Sequence, residues 1–219
     1  PDSDPAWADY KNKDWPEPAR RYAAMVGMVD RQVGQVLDLL KELNLDENTI
    51  VFFCGDNGGN NYFKTAKHPR GLHSANKHPK TGVEFRGGKG NLYEGGLRIP
   101  MAIRWPDKIK PGRVSDHLWY FPDVMPTLAE ITGTRAVKDT DGISILPELL
   151  GRKQPQHKYL YWELGNQSAV RMGDWKAVRP RPNAPWELYD LKTDISEARN
   201  VAAANPKILA QIKAHATAA

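Results

Sequence analysis

TIVFFCGDNGG, residues 49–59, is an apolar run that stops abruptly at a carboxylate, an amide and two glycines. Residues 50–54 are β-branched, aromatic or thiol-bearing without a polar break, the pattern of a strand buried on both faces of a mainly parallel sheet. In open α/β sheets the ligand crevice lies beyond the carboxyl ends of the strands, so Asp56 and Asn57 are expected at the rim. Both offer hard oxygen, which suits Ca²⁺ or Mg²⁺ better than a soft metal, and Gly58 and Gly59 let the backbone turn tightly around an ion. An Asp-Asn-Gly-Gly string is also an ordinary turn sequence, which taken alone is the favoured reading, and the residues leave the metal reading open beside it.

The rest of the chain gives that strand a setting. A length of 219 residues allows one substantial core with a smaller subdomain, and 40% hydrophobic content with 7 Trp excludes a disordered tail. No run approaches the roughly 18 apolar residues of a membrane span, and PDSDPAWADY at the start has neither a basic nor an apolar signal region. The absence of an initial Met leads to the expectation of a processed or truncated N-terminus. The lone Cys54 permits no internal disulfide and is expected to be a packed thiol. A net charge of +5 does not come from the dense basic block of a nucleic-acid-binding tail. Instead Lys64, Lys67, His68, Arg70, His73, Lys77, His78, Lys80 and Arg86 fall within residues 58–88, a long connection whose charge would draw in an anionic small molecule or glycan. No two His there have the spacing of a zinc pair.

In chain order, residues 1–15 read as loop. From Pro18, apolar residues Tyr22, Met25, Val26, Val29, Val33, Val36, Leu37 and Leu40 recur at three- and four-residue steps, one face of a long amphipathic helix that ends at Asn44. In FRGGKGNLYEGGLRIPMAIRWP, residues 85–106, Gly87, Gly88 and Gly90 surround Lys89, leaving its ammonium on a backbone that can approach a ligand closely. A desolvated lysine there could hold a tetrahedral anion, but on the residues alone a glycine-rich turn with a surface lysine is the favoured reading. Tyr93, Glu94, Gly95 and Gly96 suggest a second turn, and residues 97–105 a strand placed near an edge by Pro100. Residues 122–132 predict a short helix stopped by Gly133. A short helical piece is expected at 145–150 within a mostly loop region, residues 134–157. Short strand-like runs at 158–164, 168–172, 175–179 and 186–191 predict an antiparallel meander, closed by a helix at 206–214.

Taken together, AAMVGMVDRQVG, TIVFFCGDNGG, FRGGKGNLYEGGLRIP, WPDKI with Gly112, PDVMPTLAEITG, DGISILPELLG, AVRMGDWKAV and WELYDLKTDISEARN resemble, in order, the C-terminal half of the type I sulfatases, arylsulfatase-like members of the alkaline phosphatase superfamily. The resemblance implies an α/β fold: part of a large mixed sheet flanked by helices over residues 1–154, then a smaller antiparallel sheet with a helix over 155–219. It further implies that Asp56 and Asn57 are the second pair of oxygen ligands to an active-site Ca²⁺, and that Lys89 binds a sulfate oxygen. The family's nucleophile is a formylglycine made from Cys or Ser in a C/S-x-P-x-R motif. That motif does not occur in these residues, and Cys54 is followed by Gly-Asp-Asn. The first pair of aspartate ligands and the histidine and second lysine that flank the sulfate have no counterpart either. The expectation is half an active site, inactive alone and completed by the N-terminal half of the same protein, with a sulfated small molecule or glycan as partner and neither nucleic acid nor membrane. Periplasmic or secreted localisation is what the family implies. Two rivals stay open: a phosphoesterase or phosphonate hydrolase of the same superfamily, and a non-catalytic glycan-binding remnant.

Overall fold

The structure, a computed structural model, describes residues 2–60, 77–78, 80–135 and 138–218. A four-residue helix, α1 (Trp7–Tyr10), interrupts the expected N-terminal loop. Asp4 accounts for it: its carbonyl accepts from Trp7 N–H at 2.9 Å and its carboxylate from Ala6 N–H at 2.9 Å, while Arg31 holds that carboxylate at 2.5 and 2.7 Å. Helix α2 (Glu17–Glu42) follows the 3.6-residue period, starts with a proline in its first turn and stops before Asn44, whose φ is 56°. Its apolar stripe is only partly covered by the described residues, with Val33, Leu37 and Leu40 half-buried. Met25, Val26, Val29, Val36 and Leu39 are 45–55% exposed, and Ala24 is the buried position of the helix.

Strand β1 (Val51–Cys54) pairs antiparallel with β2 (Met101–Arg104), from Val51 opposite Arg104 to Cys54 opposite Met101. Among the described residues this is a two-stranded sheet. The expectation of a strand buried on both faces of a parallel sheet is therefore not met here: β1 is half-buried, Cys54 included, and Phe53 is exposed, because one neighbour leaves it little to be buried against. Arg104 grips the Asp46 carboxylate at 2.6 and 2.8 Å, tying the turn ahead of β1 to the end of β2.

Between these strands lies the one-turn helix α3 (Glu94–Leu97), and beyond them α4 (Val124–Thr132) and α5 (Leu146–Leu149). Buried Asp123 anchors the start of α4, accepting from Tyr120 N–H at 3.0 Å and Ile143 N–H at 2.8 Å, with His157 Nε2 2.9 Å away. Gly133 ends the helix at φ 66°.

The predicted meander is present as β3 (Leu160–Leu164), β4 (Gln167–Met172), β5 (Trp175–Arg179) and β6 (Glu187–Asp190), antiparallel in sequence order. Gly165 and Gly173 take φ of 55° and 59° at the first loop positions, where tight hairpins reserve glycine. Alternation then assigns two apolar faces. Val170, Ala177 and Leu188 pack with Ile212 of helix α6 (Pro206–Ala218), all at 0% exposure. Burying each of the larger aliphatic side chains contributes about 2 kcal/mol. The opposite face, with Ala169, Val178 and Tyr189, packs on Leu92 and Tyr93 of the glycine-rich segment. That second contact seats the candidate site on the C-terminal sheet.

Candidate functional site

Asp56 and Asn57 follow the carboxyl end of β1 after Gly55, Asp56 exposed and Asn57 half-buried. Asn57 Nδ2 donates to Asp56 Oδ1 at 2.8 Å. This leaves lone pairs on the Asn57 amide oxygen and on the second Asp56 oxygen for a cation. The donor chemistry fits a hard ion such as Ca²⁺ or Mg²⁺. The donor number does not fill a shell of about six to eight oxygens, so further ligands have to come from elsewhere. Among the described residues no group of three or more His, Cys, Asp or Glu could hold a metal.

Lys89 reaches the same place through backbone contacts. Its N–H donates to Gly59 O at 2.9 Å, and Gly58 N–H donates to Gly96 O at 2.9 Å, so three glycine-rich segments lie against one another. No side chain fits between them. A Cβ on Gly58 would stand 1.9 Å from Gly95 O, and one on Gly96 would stand 1.9 Å from Asn91 O. The lysine side chain is exposed rather than desolvated, since its glycine neighbours give it no cover. A cleft of about 440 Å³ lined by Ser115, His117, Glu148 and Arg171, and one of about 210 Å³ lined by Tyr120, His157 and Tyr161, include none of Asp56, Asn57 or Lys89. Asp56 and Lys89 are exposed and Asn57 is half-buried beside them in the fold.

Of the basic residues expected to steer an anion, Lys64, Lys67, His68, Arg70 and His73 lie outside the described residues. Lys77 is 4.0 Å from Glu84, and His78 stands edge-on to Phe85 with ring centres 6.0 Å apart. Lys80 is exposed. Arg86 is committed to structure: it lies 3.9 Å over the Tyr93 ring and donates to Tyr189 Oη at 2.5 Å and to Glu197 O at 3.2 Å. Tyr93 and Tyr189 both donate to Glu187 Oε2, at 2.7 and 2.6 Å. Burial, then the bond to that carboxylate, pushes both phenols well above their ordinary range.

Sequence reasoning missed a buried charge cluster behind the rim. Lys176 of β5, at 0% exposure, places Nζ 2.8 Å from Glu94 Oε1 and 2.9 Å from Glu197 Oε1. Arg98 donates to Glu94 Oε2 at 2.5 Å, and Glu94 N–H donates to Glu197 Oε2 at 2.6 Å. Lys176 Nζ is the cation that faces Glu197 Oε1, so one buried ammonium serves both carboxylates. Burial would raise the Glu94 carboxyl, but Lys176, Arg98 and Arg171 outweigh it and hold it at about 2. Burial dominates at Glu197 and raises it, because Lys176 is shared. The available signal was Lys176 in alternation with Val178, which sets an ammonium on a core-facing side of the strand.

Two family models cover this arrangement: "Sulfatase" over residues 1–134 and "N-sulphoglucosamine sulphohydrolase, C-terminal" over residues 88–217. An N-acetylgalactosamine-6-O-sulfatase of Bacteroides thetaiotaomicron is 31% identical over 84% of this chain and 39% of its own length. The N-acetylgalactosamine-6-sulfatase of Canis lupus familiaris is 32% identical over 83% of this chain and 33% of its own. The solved structure of Ps i-CgsB in complex with k-i-k-neocarrahexaose aligns at a TM-score of 0.75 with 30% identity, covering 94% of this chain and 44% of that one. The chain thus spans less than half the length of each of these relatives. Its neighbours in structure are sulfatases of the alkaline phosphatase-like fold, and with a family model matching more than half its residues the chain belongs to the sulfatase family.

Proposed function

We propose that the protein to which this chain contributes hydrolyses sulfate esters of an anionic carbohydrate, with this chain supplying part of the metal cup and one sulfate-binding lysine. The observation that carries the reading is the backbone stitching of Gly58 to Gly96 and of Lys89 to Gly59, which joins the chain segments that bear the hard-oxygen donors and the lysine. Asp56 and Asn57 would hold Ca²⁺, or Mg²⁺ in its place. When bound, such an ion polarises the oxygens of a tetrahedral anion as a Lewis acid. The exposed Lys89 ammonium would hold one sulfate oxygen and offset negative charge that grows as the ester bond breaks. The nucleophile, read as formylglycine, and the remaining ligands would lie outside these 219 residues. The exposed apolar stripe of α2 supports the view that this chain is covered by more of the protein. Relatives named for N-acetylgalactosamine sulfate, and one solved with a carbohydrate bound, favour a sulfated glycan as substrate. We place the protein in the periplasm or outside the cell on family grounds.

The test is turnover by the complete protein of paired sulfate and phosphate esters of the same sugars. Faster release of sulfate, abolished by chelation and restored by Ca²⁺, is expected. Preference for the phosphate esters would assign the protein to phosphoester chemistry, and binding without turnover would leave only a glycan-binding role.

A further inference from the structure

We propose that Lys176, clamped between Glu94 and Glu197, is a positioning residue for the rim: it fixes the Glu94–Leu97 turn against the four-stranded sheet, and that turn holds the Asp56 and Lys89 segments in register. The role at the site rests on the metal and sulfate reading above. The mechanical link stands on geometry alone.

Its links can be followed atom by atom. Lys176 Nζ binds the Glu94 carboxylate at 2.8 Å, and Glu94 opens α3. One residue on, Gly95 N–H donates to Arg86 O at 2.8 Å. Gly96 O then accepts from Gly58 N–H, and Gly59 O from Lys89 N–H, each at 2.9 Å. The absence of room for a Cβ at Gly58 or Gly96 means that a displaced turn cannot slide without pushing backbone against backbone. The far end of the clamp is strained: Glu197 sits at φ 52° with its side chain at 0% exposure. A glutamate in the left-handed region is held there only by surroundings that over-determine it, and here these are Lys176 and the Glu94 amide on its side chain, Arg86 on its carbonyl and Asp194 O on its N–H. Apolar packing of Leu92 and Tyr93 on Ala169 and Val178 also attaches the segment to the sheet. Such packing is non-directional, whereas a lysine between two carboxylates sets the turn's orientation.

The experiment uses the full-length protein carrying Lys176→Met, with Glu197→Gln as a milder second variant that keeps an acceptor for the Glu94 amide. Hydrogen exchange reads the amides of Gly58 and Lys89 against those of β4 and β5, and titration with calcium chloride alone reads metal affinity. Exchange about tenfold faster at Gly58 and Lys89, calcium affinity about tenfold weaker, and β4 and β5 protection unchanged are expected. Unchanged exchange at Gly58 and Lys89 in a folded variant overturns the proposal, and so does protection lost evenly through β4 and β5, which is what a merely structural lysine would give. If Lys176→Met does not fold, Glu197→Gln decides by the same readings. Failure of the unaltered protein to bind calcium would sink the metal reading by itself, and the exchange arm would still decide the link.

Discussion

At Gly58 the space a side chain would take is already filled by Gly95 O, 1.9 Å from where a Cβ would stand. Gly58→Ala should therefore lower the urea midpoint of the complete protein by the equivalent of about 3 kcal/mol and weaken calcium binding with it. A midpoint within error of the unaltered protein would mean the segments are not packed as described. Glu94 carries a second prediction. Its carboxyl is held at about 2 against an ordinary 4.5, so its contribution is complete above pH 4.5 and is lost as pH falls from there towards 2. Glu197 has the opposite sign: its raised carboxyl costs stability while ionised, a penalty relieved as pH drops towards 4.5. Glu94→Gln should thus be less stable at neutral pH and show a shallower loss between pH 4.5 and 2 in urea midpoints recorded across that range. An identical slope in both proteins contradicts the assignment. Asp56, Asn57 and Lys89 could be singled out as candidates in the sequence because hard donors and glycines have a recognisable spelling. Lys176 and Glu197 were not, since a charged residue in a strand or loop reads as solvated until its partner, here distant in sequence, is in view.

Elements show how far local pattern reaches. The meander was readable from its turns, because glycine at Gly165 and Gly173 and the alternation around Val170, Ala177 and Leu188 are local features. The ends of α2 were readable for the same reason, but its burial was not, since periodicity identifies an apolar face without naming what covers it. Strand β1 had the same defect: an apolar run implies cover, and among the described residues one antiparallel neighbour provides it. Helix α1 escaped notice because it depends on Asp4 and its bond to distant Arg31. The exposed part of the stripe yields a prediction. The 219-residue chain alone should self-associate, and Val29→Ser with Val36→Ser should reduce the association seen by sedimentation while leaving helix content unchanged. A chain that is monomeric before any substitution would show that the stripe needs no partner.

The whole molecule is two supports meeting at one rim. The two-stranded sheet leads into Asp56 and Asn57, and the four-stranded sheet carries the turn bonded to Gly58 and to Arg86 of the lysine segment. The ordered set of motifs made the family legible from sequence; the coupling between supports was not, because it runs through the contact of Lys176 with Glu94, far apart in the chain. On this account the 219-residue chain alone releases no sulfate from any ester, and metal-dependent turnover by it would refute the half-site description. The most direct test is sulfate release from N-acetylgalactosamine 6-sulfate and related sulfated glycans by the complete protein, unaltered and as Lys89→Ala. Release by the unaltered protein, with kcat/KM lowered about a hundredfold or more by the substitution, is predicted. No release, or equal rates from the two proteins, would contradict the placing of a sulfate-binding lysine on this rim.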